Sequence, residues 1–311
     1  MNIEGVSHSN IRTINRAGSA KDSVPTIHAY AIQSYQELGP VEGVDANGTY
    51  DPFGKVSTTA ATFSIAPPNG YQIYMPVRPG YDSNNLAIAI TDPSAEPFSA
   101  GKTKSEVVDA ARKAIDSKLA RLNQSEQPFR PKTNEGVDWY TVFGDLDRRA
   151  LSAIRTDESG FFMSVEKEIA RTIMTQQQSL AMGMYHGPKR LAGTYADMED
   201  LDPSNHMAVG KAGALWLDRV SHEEKTTSSD WMEQRAAAQY LYENAARQTG
   251  ATPEDLSSGF DFVDMLLQAY RELEQLGDGH ELNYLPAYQK AWQMFVDQVP
   301  SEQTASTTLF F

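Results

Sequence analysis

Residues 60–91 read AATFSIAPPNGYQIYMPVRPGYDSNNLAIAIT. Phe63 and Ile65 alternate with Thr62 and Ser64, Tyr71, Ile73 and Met75 with Gln72 and Tyr74, and Leu86, Ile88 and Ile90 with Ala87 and Ala89. A period of two places each large apolar set on one face of a strand. Pro67-Pro68-Asn69-Gly70 has tight-turn chemistry, and residues 78–85 have the composition of a longer loop. The segment therefore predicts a three-stranded antiparallel meander, ending or lying at an edge near Pro76 because proline has no N–H to donate. Ile27–Tyr35 is a candidate fourth strand.

Outward from this segment the pattern becomes helical. Thr103-Lys104-Ser105-Glu106 has capping-box spacing, and Val107, Val108, Ala111, Ile115, Leu119 and Leu122 follow at helical intervals. Such a stripe suits a helix laid across a small sheet. Trp139, Phe143, Leu146, Ala150 and Ile154 form the next stripe, then Ile169, Ile173, Leu180 and Met184. In this second stripe the run Gln176-Gln177-Gln178 is expected to face water. Further stripes include Leu215 and Trp216, then Trp231, Ala238, Leu241 and Tyr242, then Phe262, Leu266 and Tyr270, then Trp292 and Phe295. Thr252-Pro253-Glu254-Asp255 reads as a helix start.

The expected fold class is thus α+β, a small antiparallel β-meander with a packed helix followed by a mainly α-helical bundle. The expected divisions are a disordered tail at 1–25, the sheet-and-helix unit at 26–125, a linker at 126–136, an acidic helical bundle at 137–300 and a flexible tail at 301–311.

The 311 residues carry 27 Lys+Arg and 41 Asp+Glu, for a formal net charge of −14. The charge is uneven: residues 1–190 hold 20 basic and 21 acidic side chains, whereas residues 191–311 hold 7 and 20. This balance disfavours nucleic acid and anionic lipid as partners of the C-terminal part and favours a basic protein partner. Cys is absent, which removes disulfides, zinc–thiolate centres and thiol nucleophiles. No apolar run has the length of a membrane span, so no membrane partner is expected. The start lacks the apolar core of a secretory signal. A cytoplasmic location is expected, with export lacking a cleaved signal peptide as the alternative.

Arg155-Thr156-Asp157-Glu158-Ser159-Gly160-Phe161-Phe162-Met163-Ser164-Val165-Glu166 lies between two predicted helices. Within residues 139–184 this helix–loop–helix resembles a degenerate EF-hand. With Gly160 at the sharp turn, the resemblance implies Asp157 and Ser159 at the third and fifth ligand positions and Glu166 at the twelfth. A second register runs from Asp157 to Glu168. The implied ligands are therefore Asp157, Ser159, Glu166 and Glu168, and the implied cofactor is Ca²⁺. Arg155 departs from the pattern, occupying the first ligand position of the first register, where a guanidinium cannot coordinate a cation. The cation-free reading has Ser164 capping the second helix, with Glu166 and Glu168 suiting its first turn.

The histidines, His8, His28, His186, His206, His222 and His280, fall in no metal-binding repeat, although His222-Glu223-Glu224 could join the acids of 197–202. Nucleotide-binding glycine loops and nucleophile elbows are missing from the sequence. No catalytic residue is assigned, and no cofactor other than Ca²⁺ is implied. Three function classes follow. The first is a non-catalytic binding or scaffold protein whose acidic bundle engages a protein partner. The second is a hydrolase with a carboxylate/histidine site assembled from separate helices, and the third is a cation-responsive module using the EF-hand-like loop.

Overall fold

The computed structural model describes residues 70–185, 203–277 and 279–298. Among them the chain is helical, with no β-strand and no sheet. The α+β expectation is overturned. Tyr71–Tyr74 form a 3-10 turn, and Asn84–Thr91 form helix α1. Alternation and helix compete over these eight residues. Alanine at 87 and 89 is the best helix former, and Leu86 and Ile90 are spaced i, i+4. Burial decides between them: Leu86 and Ile90 are fully buried, whereas Ile88, which a strand would place beside them, is 41% exposed. Tyr74 and Met75, adjacent in sequence, are both buried, which strand alternation forbids on a one-sided sheet. Phe63, Ile65, the candidate strand at Ile27–Tyr35 and both predicted tails lie outside the described residues.

Helix α2 spans Lys104–Asn123 and opens on the capping box. Glu106 N–H donates to Thr103 Oγ1 at 3.3 Å, and Thr103 N–H donates to Glu106 Oε2 at 2.8 Å. Helices α3 (Val137–Phe143) and α4 (Arg148–Arg155) share the stripe from Trp139 to Ile154. They are separated because Asp147 caps α4, its Oδ1 accepting from Ala150 N–H at 2.9 Å. Its Oδ2 accepts from the N–H groups of Phe98 and Ser99 and from the Ser99 hydroxyl, so the buried carboxylate is fully used. Helix α5 is Ser164–Ala181. Residues 126–136 join α2 to α3, and Arg78 donates to the Gln127 and Pro128 carbonyls there and pairs with buried Asp138. Helices α1 to α5 enclose one apolar core containing Leu86, Ile115, Phe143, Leu151, Ile154 and Ile173.

The second lobe contains α6 (Pro203–Leu217), α7 (His222–Thr227), α8 (Ser229–Thr249), α9 (Asp261–Leu276) and α10 (Pro286–Gln298). Its core includes Trp231, Phe262, Leu266, Tyr270 and Phe295. The helix start expected at Thr252–Asp255 is not used, and α9 begins at Asp261. Side chains of α8 bind the backbone at Glu254 and Leu256 instead. Glu254 N–H donates to Tyr242 Oη at 2.8 Å, and Arg235 Nη2 donates to the Leu256 carbonyl at 2.6 Å. Helical hydrogen bonds are not needed where side chains already satisfy the backbone. Helices α6 and α8 approach closely at Gly210, where an added Cβ would meet Tyr242 N at 2.6 Å and Ala238 O at 2.8 Å.

A polar seam joins the lobes. The Trp216 indole N–H of α6 reaches the carbonyls of Ala89 and Ile90 at 3.1 and 3.0 Å. Three arginines of α4 face three acids of the second lobe: Arg148 pairs with Glu224, Arg149 with Glu223 and Arg155 with Asp230. Arg148 and Arg155 stand seven apart, two turns along one helical face.

Candidate functional site

The 155–168 loop joins Asp157 to Ser159, whereas Glu166 is bound to Met163 and Arg112 and Glu168 lies beside Arg171. Gly160 turns the chain at φ +83°, in the left-handed region that favours glycine. Asp157 Oδ1 accepts from Ser159 N–H at 3.1 Å and from the Ser159 hydroxyl, and Oδ2 accepts from Phe162 N–H at 3.2 Å. Lys167 supplies the countercharge: its ammonium lies 3.7 Å from Asp157 Oδ2 and donates to the Asp157 carbonyl. Burial alone would raise the Asp157 pKa. The hydrogen bonds from Ser159 and Phe162, with Lys167, outweigh it and hold the carboxyl below its ordinary value.

Glu166 is fully buried and serves α5 as its third residue, its Oε2 accepting from Met163 N–H at 2.9 Å. Met163, not the expected Ser164, occupies the cap position. The same oxygen accepts from Arg112 Nη1 at 2.8 Å, and the Arg112 guanidinium lies 5.2 Å from the Phe162 ring centroid. Glu166 Oε1 is buried without a hydrogen-bond partner among the described residues. Glu168 is more than half exposed and lies beside Arg171 at 3.5 Å. The loop thus directs Asp157 toward the loop N–H groups of Ser159 and Phe162 and toward Lys167, and Glu166 toward the helix-cap N–H of Met163 and toward Arg112. Among the described residues no group of three or more His, Cys, Asp or Glu side chains is gathered so as to hold a metal ion.

His206 lies on α6, and none of the described histidines joins a group of three or more potential metal ligands. His222 is exposed and stacks on Phe260 with centroids 6.2 Å apart, while Glu223 and Glu224 are committed to Arg149 and Arg148. His280 is exposed on the chain leading to α10, and residues 197–202 with His8, His28 and His186 lie outside the described residues.

The glutamines expected to face water are buried, and they link the helices of the first lobe. Gln176 Nε2 donates to the Tyr74 carbonyl at 2.7 Å, and its Oε1 accepts from the Tyr140 hydroxyl. Gln177 Nε2 donates to the Leu86 carbonyl at 2.9 Å, and its Oε1 accepts from Arg148 Nη1 at 3.1 Å. Around Arg148 the seam is closed on every side. Glu224 takes Nε at 3.0 Å and Nη2 at 2.6 Å, the Met174 carbonyl takes Nη1 at 3.0 Å, and the guanidinium lies 4.3 Å from the Trp216 ring centroid. Sequence spacing holds no sign of this cluster, because Glu224 is 76 positions from Arg148.

The acidic surface of the second lobe is the remaining chemically distinctive region. Residues 203–298 carry 15 acidic and 7 basic side chains. Most of the cations are committed: Lys211 to Glu254, Arg219 to Asp92, Arg235 to Asp218, Arg247 to Glu274 and Arg271 to Glu243. Ahead of α9 and in its first turn, Asp255, Asp261 and Asp264 are exposed and form no ion pair among the described residues. Burial, then the charge of Asp261, and in smaller part that of Asp255, push the Asp264 carboxyl above its ordinary value despite the opposing pull of Arg235 and Arg271. The positive end of α9 accounts for part of this gathering. The residual like-charge strain is what an incoming cation would relieve.

Among the described residues no helix is long and apolar enough to cross a membrane. No protein-family model, curated protein or solved structure matches the chain.

Proposed function

We propose that the chain is a non-catalytic binding or scaffold protein whose acidic second lobe engages a basic segment of a protein partner. The observation that carries this reading is the set Asp255, Asp261 and Asp264, exposed, mutually repelling and left without Lys or Arg partners in a lobe whose cations are mostly committed elsewhere. A Lys/Arg-rich segment placed there would gain Coulomb energy without displacing an existing ion pair. The reading requires no cofactor.

The test is fluorescence-anisotropy titration of the full chain with a labelled Lys/Arg-rich peptide at low and high salt. Binding is expected at low ionic strength and is expected to weaken steeply as salt rises, because exposed charges are screened beyond about 10 Å at 0.1 M. Replacing all three aspartates by asparagine should weaken binding about tenfold, each exposed pair contributing about 0.2–1 kcal/mol. Failure to bind at low salt, or unchanged affinity in the triple variant, would remove the acidic end of α9 as the docking surface.

A further inference from the structure

Helix α10 carries two apolar rows. Ala287, Ala291 and Phe295 form the first, buried where α10 packs on α9, with the Phe295 ring 5.5 Å from that of Phe262. Tyr288, Trp292 and Val296 form the second, each one residue after a member of the first. The second row is therefore turned by about 100° from the first and repeats every fourth position. Trp292 is 41% exposed and Val296 47%. The ring neighbour of Trp292 among the described residues is Phe295 of its own helix.

The charges placed beside this second row are acidic. Tyr288 donates its hydroxyl to Glu233 Oε1 of α8 at 3.4 Å, which sets that carboxylate at the edge of the row. Glu233 is partly buried and forms no ion pair among the described residues. Asp230, one turn earlier on α8, pairs with Arg155 yet stays nearly half exposed. Lys290, the one cation of α10, stands about 120–160° round the helix from Val296 and Trp292.

We propose that the Tyr288–Trp292–Val296 row of α10, edged by Glu233, is a docking face for a cationic amphipathic helix of a protein partner. None of these residues belongs to the set Asp255, Asp261 and Asp264, so the inference stands without the reading given above.

Two aromatic rings and a valine at i, i+4 intervals match the apolar stripe of a second helix, whose anchors recur at the same spacing. Tryptophan is the side chain that most often dominates such contacts once water is excluded. A Lys or Arg at the margin of the incoming stripe meets Glu233. That carboxyl is pushed up to about 7 by burial and then by Asp230, for want of a countercharge. An acidic helix is repelled at this edge, and an uncharged one covers Glu233 without pairing it. A second copy of the chain would bring a net charge of −14 to the same edge, which opposes self-pairing.

Calorimetric titration of the full chain at pH 8 with three synthetic helical peptides tests the assignment. The first carries a leucine stripe flanked by lysines, the second the same stripe flanked by glutamates, and the third the lysines with serines in place of the leucines. The lysine–leucine peptide is expected to bind about tenfold more tightly than either of the others. Trp292→Ser combined with Val296→Ser alters only exposed positions. It should remove that advantage while leaving the lysine–serine peptide unaffected. Glu233→Gln should bring the lysine–leucine and glutamate–leucine peptides closer together. Equal binding of the three peptides, or unchanged affinity in the double serine variant, would overturn the proposal. So would sedimentation showing a wild-type dimer that the double variant loses, since the face would then belong to a second copy. Replacing Asp255, Asp261 and Asp264 by asparagine separates the two surfaces. A loss there with none in the serine variant removes the α10 face and keeps the α9 surface, and the reverse keeps the α10 face alone.

Discussion

Arg148 is almost wholly withdrawn from water, yet its guanidinium meets a bidentate carboxylate, a backbone carbonyl, a glutamine oxygen and the face of a tryptophan. An isolated charge in that position would be intolerable, and each acceptor offsets part of the desolvation. Removing one member of such a pair costs more than removing both, because the survivor stays buried and unpaired. Arg148→Ala is therefore expected to lower the unfolding free energy by about 3–5 kcal/mol, while Arg148→Met combined with Glu224→Leu recovers most of that loss. Urea denaturation of the two variants and the wild type checks both values. A double variant no more stable than Arg148→Ala would show that the apolar pair does not fill the space. In the amino-acid sequence Arg148 and Arg149 read only as an adjacent basic pair. Their partners Glu224 and Glu223 are far along the chain, so no local period marks them. The EF-hand-like loop shows the converse. Its residue types were legible, but the sequence is silent on Arg112 and Lys167 coming to rest against Glu166 and Asp157.

Helices formed where period, cap and propensity agreed, as in α2, where Thr103 and Glu106 mark the first turn and five buried positions follow at helical spacing. Legibility failed in α1, because the five residues Leu86–Ile90, alternating Leu or Ile with Ala, satisfy two periods at once, and only tertiary burial separates them. It failed again at Thr252–Asp255, where a good helix start is overruled by Tyr242 and Arg235 binding the backbone. Gly210 belongs to the same scale. Its missing side chain lets α6 approach α8 until the two backbones nearly touch, and the atoms an alanine would strike are main-chain atoms that cannot rotate away. Gly210→Ala gains helix propensity of about 1 kcal/mol. It forces the helices apart at a cost of roughly 1–3 kcal/mol or more, so a net loss is expected. Thermal melts of that variant beside Ala208→Gly, a control in the same helix, separate the packing effect from propensity. A gain in stability at position 210 would contradict the observed approach.

At the scale of the molecule two apolar cores meet across a seam that is largely polar. Trp216 holds this seam from the second side, its ring against Arg148 and its N–H on the end of α1. The lobes should therefore unfold together in the wild-type chain, with equal calorimetric and van't Hoff enthalpies. Trp216→Ala removes both contacts, should cost about 3–5 kcal/mol, and should separate the melting into two transitions. A single sharp transition in that variant would mean that the remaining arginine–acid pairs suffice for coupling. The charge asymmetry read from composition acquires a location at this scale. Glu223, Glu224 and Asp230 are spent on the seam, whereas Asp255, Asp261 and Asp264 remain outward.

The 76 positions between Arg148 and Glu224 are also an interval of time. At about 5–20 residues per second of synthesis, the arginine waits roughly 4–15 s for its carboxylate to be made. During that interval the first lobe has its apolar residues but lacks the acid that neutralises its buried cation. A chain interrupted after residue 185 would therefore keep Arg148 hydrated and the seam side of α4 open, and would remain a substrate for chaperones until α7 arrives.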